Sequence, residues 1–216
     1  MDKQKLIKAL EDLKQNSQKR NFNQTYELIV NVQGLDFKKT ENQVDFFMNI
    51  PHKIKQKKIC ALVGPELYED AKKICDRAIS QEDFEKYKDK KVSKKLAREF
   101  DFFLAQANIM SGIASTFGKV LGPKGKMPNP KSGCIVPPKG NLKVIYEKLQ
   151  TTIRVSAKTP VMHCPIGKED FPTEKVADNL LAVYDSLVHH LPNEKNNIKG
   201  VYVKLTMSKP VKLDLA

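Results

Sequence analysis

The chain has 216 residues, 40% of them hydrophobic, so it is long enough to bury the core of one large domain or of two modest ones. The 38 Lys+Arg against 25 Asp+Glu give a formal net charge of +13, which indicates a polyanionic partner, nucleic acid before an anionic membrane. No run approaches the roughly 18 apolar residues of a membrane span and the charged N-terminus lacks a signal-peptide core, so we expect no membrane association and a cytoplasmic location.

The first fifty residues are typical of one amphipathic helix followed by two strands. The helix is predicted from apolar residues on one face, in a pattern that closes near Arg20: Leu6, Ile7, Leu10 and Leu13. In residues 25–32 and 43–50, apolar side chains alternate with a more polar set. Two strands are therefore predicted, each with one face more polar than the other. Pro51 ends the second strand.

From residue 53 to residue 150 the pattern changes to strands that alternate with helices. KKICALVG (57–64) and FDFFLA (100–105) are typical of buried strands. Helices are predicted for PELYEDAKKIC (65–75), VSKKLAREF (92–100), residues 107–121 and NLKVIYEKLQ (141–150). This alternation predicts a parallel, layered α/β unit.

After residue 150 the first pattern returns. TTIRVSA (151–157), VMHCPIG (161–167) and VYVKLTM (201–207) are predicted strands, and a long helix carries Val176 to Leu191. In the last strand, four residues are expected to face one way: Val201, Val203, Leu205 and Met207. The predicted fold class is α/β (α+β): a split α+β domain from residues 1–52 and 151–216, interrupted by an α/β domain from residues 53–150.

The loop GPKGKMPNPKSG, residues 122–133, is the candidate for a nucleotide-phosphate site. A phosphate-binding loop needs GxxxxGK[ST], but Met127 stands where the second glycine belongs, and the Lys131-Ser132 pair follows Pro130, which has no N–H. The chain also lacks GxGxxG, GxSxG and the kinase motifs. We therefore expect no enzyme and no cofactor; a nucleotide-dependent enzyme that uses the inserted domain remains an alternative.

The cysteines and histidines do not have the spacing of a metal site. Cys60, Cys75, Cys134 and Cys164 are scattered without a CxxC pair, and the four histidines show no HExxH spacing. We expect free thiols and no metal.

Three stretches without acidic residues point to phosphate contact. They lie between Asp101 and Glu147, between Glu147 and Glu169, and between Glu194 and Asp214. The first contains Lys119, Lys124, Lys126, Lys131, Lys139 and Lys143. A nearby carboxylate would repel a phosphate backbone, so such stretches favour nucleic-acid binding over a basic surface without a partner.

The sequence lacks the motifs of proteins that bind DNA specifically, and this favours RNA as the nucleic acid. No helix-turn-helix, zinc finger or recognition helix rich in Arg or Asn is present, so a DNA-binding repressor is the weaker alternative. The polar faces of the terminal strands suit RNA, whose shallow minor groove presents 2′-hydroxyl groups.

Five segments carry a resemblance to a known family. They are residues 103–133 (FLAQANIMSGIASTFGKVLGPKGKMPNPKSG), KRNFNQTYELIVN near the start, Pro51-His52, MHCPIGKEDF at 162–171, and VYVKLTMSKP near the end. Together they closely resemble the large-subunit ribosomal protein L-one family, the proteins of the mobile side stalk, in its archaeal form. The resemblance extends almost from terminus to terminus.

The resemblance implies a two-layer split RNA-binding domain and a Rossmann-like three-layer insertion. It also implies binding to the stalk helices of large-subunit rRNA, participation in the release of deacylated tRNA from the exit site, and repression of the protein's own mRNA. No catalysis is implied. We expect a ribosomal protein of the cytoplasm that is a monomer when free of RNA.

The resemblance also assigns RNA-binding residues by matching positions. These are Phe22, Thr25, Glu27, His163, Gly167, Lys168, Lys204, Thr206, Met207 and Ser208. Secondary contacts with RNA or tRNA are expected at Lys124, Lys126 and Lys131. Purely structural alternatives exist for four of them: Phe22 packing on the first helix, Met207 in the core, Glu27 paired with a lysine, and His163 hydrogen-bonded in the core.

One departure from the family pattern concerns the last segment. The family usually has Ser/Thr-Thr-Met-Gly where this chain has Leu205-Thr206-Met207-Ser208. Glycine would permit a positive φ angle or a close approach of RNA, so Ser208 predicts a compatible backbone angle or a looser contact.

Charge is divided unevenly between the predicted domains. The split domain carries +3 and the inserted domain +10. We expect shape and hydroxyl contacts in the split domain to give specificity, and the inserted domain to add long-range attraction or a second RNA contact.

Overall fold

The structure is a computed structural model that describes residues 3–39, 42–138 and 140–213. Lys139, one of the lysines in the first acid-free stretch, lies outside the described residues. The helices are α1 (Lys3–Asn16), α2 (Pro65–Ile74), α3 (Lys90–Glu99), α4 (Met110–Leu121), α5 (Leu142–Thr151) and α6 (Thr173–His190). The strands are β1 (Thr25–Val32), β2 (Val44–Asn49), β3 (Ile59–Val63), β4 (Arg77–Ser80), β5 (Phe102–Gln106), β6 (Ile135–Val136), β7 (Thr152–Ala157), β8 (Val161–Lys168), β9 (Ile198–Leu205) and β10 (Val211–Leu213).

The chain is mixed α/β, as predicted, and separates into two compact units. Met1–Ile54 with Ile153–Ala216 form one, called the split unit below, and Lys55–Thr152 form the other, called the inserted unit. Across the described ranges, no helix combines the length and the apolar character that crossing a bilayer requires.

The split unit is built on an antiparallel sheet with the order β10-β9-β1-β8. In β1 every second side chain is buried, beginning at Tyr26, while the side chains between them remain partly accessible. The buried set packs with apolar residues of α1 and α6, such as Leu10 and Leu180, in one core. One face of this sheet is therefore covered by helices, and the other carries the polar residues of β1, β8 and β9.

The inserted unit is built on a parallel sheet with the order β4-β3-β5-β6. Every residue of β3 is buried, as expected for a central parallel strand. One core packs the sheet against α3 and α4, through Leu96 and Phe117, and a second packs it against α2 and α5, through Leu67 and Leu149. Helices on both faces of the sheet give three layers.

The last long strand differs from its prediction. β9 ends at Leu205, and the Ser208 N–H donates to the Leu205 carbonyl at 3.0 Å, which closes a turn. Met207 therefore does not share the buried face of Val201, Val203 and Leu205; its side chain is 58% exposed. The alternation of side chains stops where the turn begins, and the apolar pattern alone does not show where that is.

Other differences concern short elements. The first helix ends at Asn16 rather than near Arg20, because no apolar residue continues its buried face after Leu13. β4, β6 and β10 were not predicted, since four, two and three residues are too few to establish a period. All four cysteines are free and buried, in line with the expectation of thiols.

Candidate nucleic-acid interface

The antiparallel pairing of the split sheet collects residues from distant parts of the chain. Because β8 and β9 both run opposite to β1, the start of β1 lies beside the ends of both neighbours. Thr25 pairs with Lys168, and Tyr26 pairs with Leu205. The residues around these three strand ends form what we call the strand-end cluster: Gln24, Thr25, Lys168, Thr206, Met207 and Ser208.

Hydroxyl and ammonium groups form the centre of this cluster. The Thr25 N–H donates to Thr206 Oγ1 at 3.0 Å, and Lys168 Nζ donates to Thr25 Oγ1 at 3.0 Å. Lys168 reaches this position because the pairing of β1 with β8 shifts by one residue between Tyr26 and Glu27, a bulge that redirects the strand end. The two hydroxyls and the ammonium are part-buried and keep hydrogen-bonding capacity for ribose hydroxyls and phosphate.

Glu27 and Lys204 lie opposite each other on the accessible face. Their side chains approach to 3.6 Å between Lys204 Nζ and Glu27 Oε2, and Lys204 Nζ also donates to the Thr206 carbonyl at 2.9 Å. The alternative that Glu27 pairs with a lysine therefore holds in the free protein. Both side chains stay partly exposed, so the carboxylate can also accept from a ribose hydroxyl.

Ser208 adopts a backbone that does not require glycine. Among the described residues, Glu194 is the only non-glycine residue with a positive φ angle. The Ser208 hydroxyl accepts from the Leu205 N–H at 2.8 Å, so the side chain stabilises the turn that presents Met207. Of the two outcomes expected for Ser208, the compatible backbone angle is the one observed.

Gln24 is the residue of the cluster that the sequence did not reveal. Its side chain is only 1% exposed, and its Oε1 accepts from the Met207 N–H at 3.1 Å. Its Nε2 donates to the Gln18 carbonyl at 3.4 Å, and its N–H donates to Glu169 Oε2 at 3.3 Å. A single polar residue before a strand gives no periodic signal, so only its burial identifies it.

Phe22 and His163 are both accessible. Phe22 lies in the loop before β1 with 51% of its surface exposed, next to a hollow that Arg20 and Glu169 also line. His163 is exposed on β8 and pairs with Ile29. Ile29 lies four residues, or about 13 Å, along β1 from Thr25, so His163 is separated from the strand-end cluster. Neither side chain is in the core; for His163 this excludes the structural alternative.

Gly167 has a packing role. It is buried, and a Cβ atom at this position would lie 2.8 Å from Val176 Cγ2 on α6. Glycine is therefore needed for the approach of β8 to α6. Any contact of Gly167 with RNA would have to come from its backbone.

The three lysines of the 122–133 loop lie in the inserted unit and differ in their surroundings. Lys126 Nζ donates to the carbonyls of Ala97 at 3.0 Å and Phe100 at 2.6 Å, so it caps the C-terminal end of α3. Burial lowers the pKa of Lys126, with Asp101 acting in the opposite direction. Lys124 and Lys131 are exposed and are the more available cations of this loop.

Among the described residues of the inserted unit, the turn from β3 into α2 is unsuited to binding a nucleotide phosphate. Parallel α/β folds bind phosphate at the helix N-terminus after a central strand, which here is the turn from β3 into α2. The Gly64 N–H in this turn already donates to Gln106 Oε1 at 2.7 Å, and Gln106 Nε2 lies 3.4 Å from Glu66 Oε2. A buried amide and a carboxylate thus fill the position that an anion would need.

No metal site is apparent in the part of the chain that the structure describes. His, Cys, Asp and Glu residues form no group of three or more there that could hold an ion.

Comparison with known proteins gives consistent matches along the chain. The sequence profile of the Ribosomal protein L1p/L10e family matches residues 13–209. Three archaeal proteins with the name large ribosomal subunit protein uL1 are similar over most of their lengths. That of Thermococcus kodakarensis is 39% identical over 99% of this chain and 98% of its own length. That of Nanoarchaeum equitans is 41% identical, with 90% and 93% covered, and that of Archaeoglobus fulgidus 35% identical, with 99% of each covered.

Proposed function

This chain belongs to the ribosomal protein L1p/L10e family, and we propose that it binds the side-stalk rRNA of the large ribosomal subunit through the strand-end cluster. It is a constituent of the ribosome rather than an enzyme, as the names of its relatives indicate. The observation that carries the proposal is the meeting of Thr25, Lys168 and Thr206 at one end of the sheet, beside the exposed Met207.

The chemistry of the strand-end cluster matches folded RNA better than DNA. Threonine hydroxyls, the Glu27 carboxylate and main-chain groups can hydrogen-bond to 2′-hydroxyls, which DNA lacks. Met207 and Phe22 supply apolar contact with sugars or bases. With a charge of only +3, the split domain relies less on phosphate attraction than on these neutral contacts.

Two further roles rest on the family resemblance and on this same site. We propose that the bound stalk assists release of deacylated tRNA from the exit site. We also propose that an mRNA segment which reproduces the rRNA fold occupies the strand-end cluster in its place, so that the protein represses its own message. A site that recognises RNA shape and ribose hydroxyls can accept either RNA.

Equilibrium binding over a salt series tests the proposal. A hairpin from the stalk rRNA is compared with duplex DNA of the same sequence, using the full chain. We expect the RNA to bind more tightly by a factor of at least about 100, because only RNA presents the 2′-hydroxyls. We also expect the preference to persist as salt weakens phosphate attraction. DNA binding as tight as RNA binding would contradict the proposal.

A further inference from the structure

Helix α3 of the inserted unit presents a concentrated set of cations to solvent. Its buried side consists of Ser93, Leu96 and Ala97. Leu96 and Ala97 pack in the core that α3 shares with the sheet and α4, and the Ser93 hydroxyl donates to the Tyr87 carbonyl. Five basic side chains are exposed on its other sides, and we call them the α3 face: Lys90, Lys91, Lys94, Lys95 and Arg98. Their positions repeat at three- and four-residue intervals, so they form adjacent rows along one side of the helix.

The α3 face is electrostatically unpaired within the described chain. None of its five cations has a carboxylate within ion-pair distance among the described residues. The lysines just before the helix differ, since Lys86 pairs with Asp83 at 2.6 Å and Lys88 with Glu85 at 3.0 Å. The α3 face therefore lacks the ion pairs that the lysines just before the helix make.

This arrangement opposes the stability of the helix itself. Lys90 and Lys94, Lys91 and Lys95, and Lys94 and Arg98 are like-charge pairs four residues apart, which repel. Lys90 and Lys91 also occupy the first turn, where the helix dipole disfavours cations. A polyanion that binds the α3 face would relieve both effects.

We propose that the α3 face is a second RNA-binding surface, which contacts the phosphate backbone of an RNA duplex without reading its sequence. Side chains four residues apart are separated by about 6 Å along the helix, so a row of ammonium groups can follow one phosphate strand. Lys126 holds the C-terminal end of α3 through two carbonyls, which fixes this platform.

The composition of the helix distinguishes RNA from an anionic membrane as the partner. A membrane-surface helix inserts a broad apolar side, but the only large apolar side chain that α3 exposes is Val92, at 41%. The same solvent-facing side holds no Asn or Gln that would read base edges. Backbone contact with RNA is the remaining use that fits its charge.

A charge-matched pair of variants tests this proposal. The first combines Lys90→Gln, Lys91→Gln, Lys94→Gln and Lys95→Gln. The control combines Lys72→Gln, Lys73→Gln, Lys143→Gln and Lys148→Gln, which removes the same charge from α2 and α5 on the opposite face of the inserted sheet. The probe is a short RNA duplex unrelated to the stalk sequence, and its binding to the full chain is measured over a salt series.

We expect the α3 variant to lose at least about tenfold in affinity at low salt. The slope of log affinity against log salt concentration should decrease in magnitude by about 3. The control should change the affinity only about twofold or less, because long-range attraction without contact is screened. The α3 variant should not lower the thermal midpoint, since its substitutions remove repulsion. The control removes three cations from the last turns of α2 and α5, where they favour the helix dipole, so a small decrease is expected there. The double variant Lys91→Gln, Lys95→Gln, with about half the slope change, gives a milder second measurement.

Three results would overturn the proposal. Equal losses of RNA affinity in the variant and the control would mean that the net charge of the unit, rather than contact with α3, determines binding. An unchanged affinity in the α3 variant would mean that the helix makes no contact. Binding to vesicles of anionic lipid that depends on the α3 face, with RNA binding unaffected, would assign the surface to a membrane. Binding of the stalk hairpin, measured in parallel, separates all of these from a failure of the strand-end cluster.

Discussion

Among the described residues, Lys57 is the only Lys, Arg, Asp or Glu that is buried. Its ammonium donates to the carbonyls of Leu149, at 3.3 Å, and Thr152, and its main chain exchanges two hydrogen bonds with the Gln150 amide, at 2.9 and 2.8 Å. Burial lowers the pKa of Lys57 to about 8, partly opposed by Asp101. The last residues of α5 are thus held to the segment before β3 by a cation that is costly to keep charged.

The depressed pKa of Lys57 predicts a rise in stability with pH. Between about pH 8 and about pH 10.5 the folded protein has released this proton while the unfolded chain still binds it. Because the unfolded state binds more protons in this window, the free energy of unfolding increases there. Below about pH 8 the full cost of the buried charge is present.

The measurement compares the wild-type protein with Lys57→Met by denaturant unfolding. We expect the free energy of unfolding of the wild type, minus that of the variant, to grow by about 1 kcal/mol from about pH 7 to about pH 9. Groups that titrate equally in both proteins cancel in this difference. A difference that is constant with pH would show that Lys57 does not titrate in this range.

Individual residues show which side-chain positions the sequence pattern could predict and which it could not. Alternation predicted the buried side chains of β1 and β9, because each apolar set faces one core. Met207 continued the same alternation and was wrongly placed with them, because a turn closed by Ser208 follows no period. Gln24 was missed for a related reason, since its hydrogen bonds join segments about 145 and 183 positions away.

Gln24 connects three elements that together carry the strand-end cluster. Through its side chain and main chain it holds the loop after α1, the turn after β9 and the end of β8. A buried amide of this kind is costly to remove, because its partners lose hydrogen bonds without gaining water. We regard it as a positioning residue that fixes Met207 without touching RNA.

Gln24→Leu should therefore weaken both the fold and RNA binding. We expect a loss of about 1–3 kcal/mol in the free energy of unfolding and about a tenfold loss of affinity for the stalk hairpin. The control is Gln33→Leu, which changes an exposed glutamine just after the other end of β1. If Gln24→Leu destabilises the protein but binds RNA normally, Gln24 is structural only.

At the level of elements, the sequence predicted most of the helices and strands but not their partners. The parallel arrangement of the inserted unit followed from the alternation of strands and helices, and the structure confirms it. The register that sets Thr25 beside Lys168 and Tyr26 beside Leu205 left no local signal. The candidate site was instead assembled from family-matched motifs, and the family itself is confirmed by the profile match.

For the whole molecule, the two ends of the chain contribute to one sheet while the middle forms its own. β1 comes from the N-terminal part and lies between β8 and β9 from the C-terminal part. The inserted unit has most of the net positive charge and exposes the α3 face. This distribution supports a division in which the split unit recognises a specific RNA and the inserted unit adds attraction that depends on salt.

Direct contact of Thr206 and Met207 with the stalk RNA is central to the proposed function. The most direct test is the affinity of the double variant Thr206→Ala, Met207→Ala for the stalk hairpin at fixed salt. Val144→Ala serves as the control, since Val144 in the inserted unit is as exposed as Met207, 59% against 58%. We expect the double variant to lose about 10- to 100-fold in affinity with little change in salt slope, because neutral contacts are removed. Unchanged affinity in a folded double variant would contradict this contact.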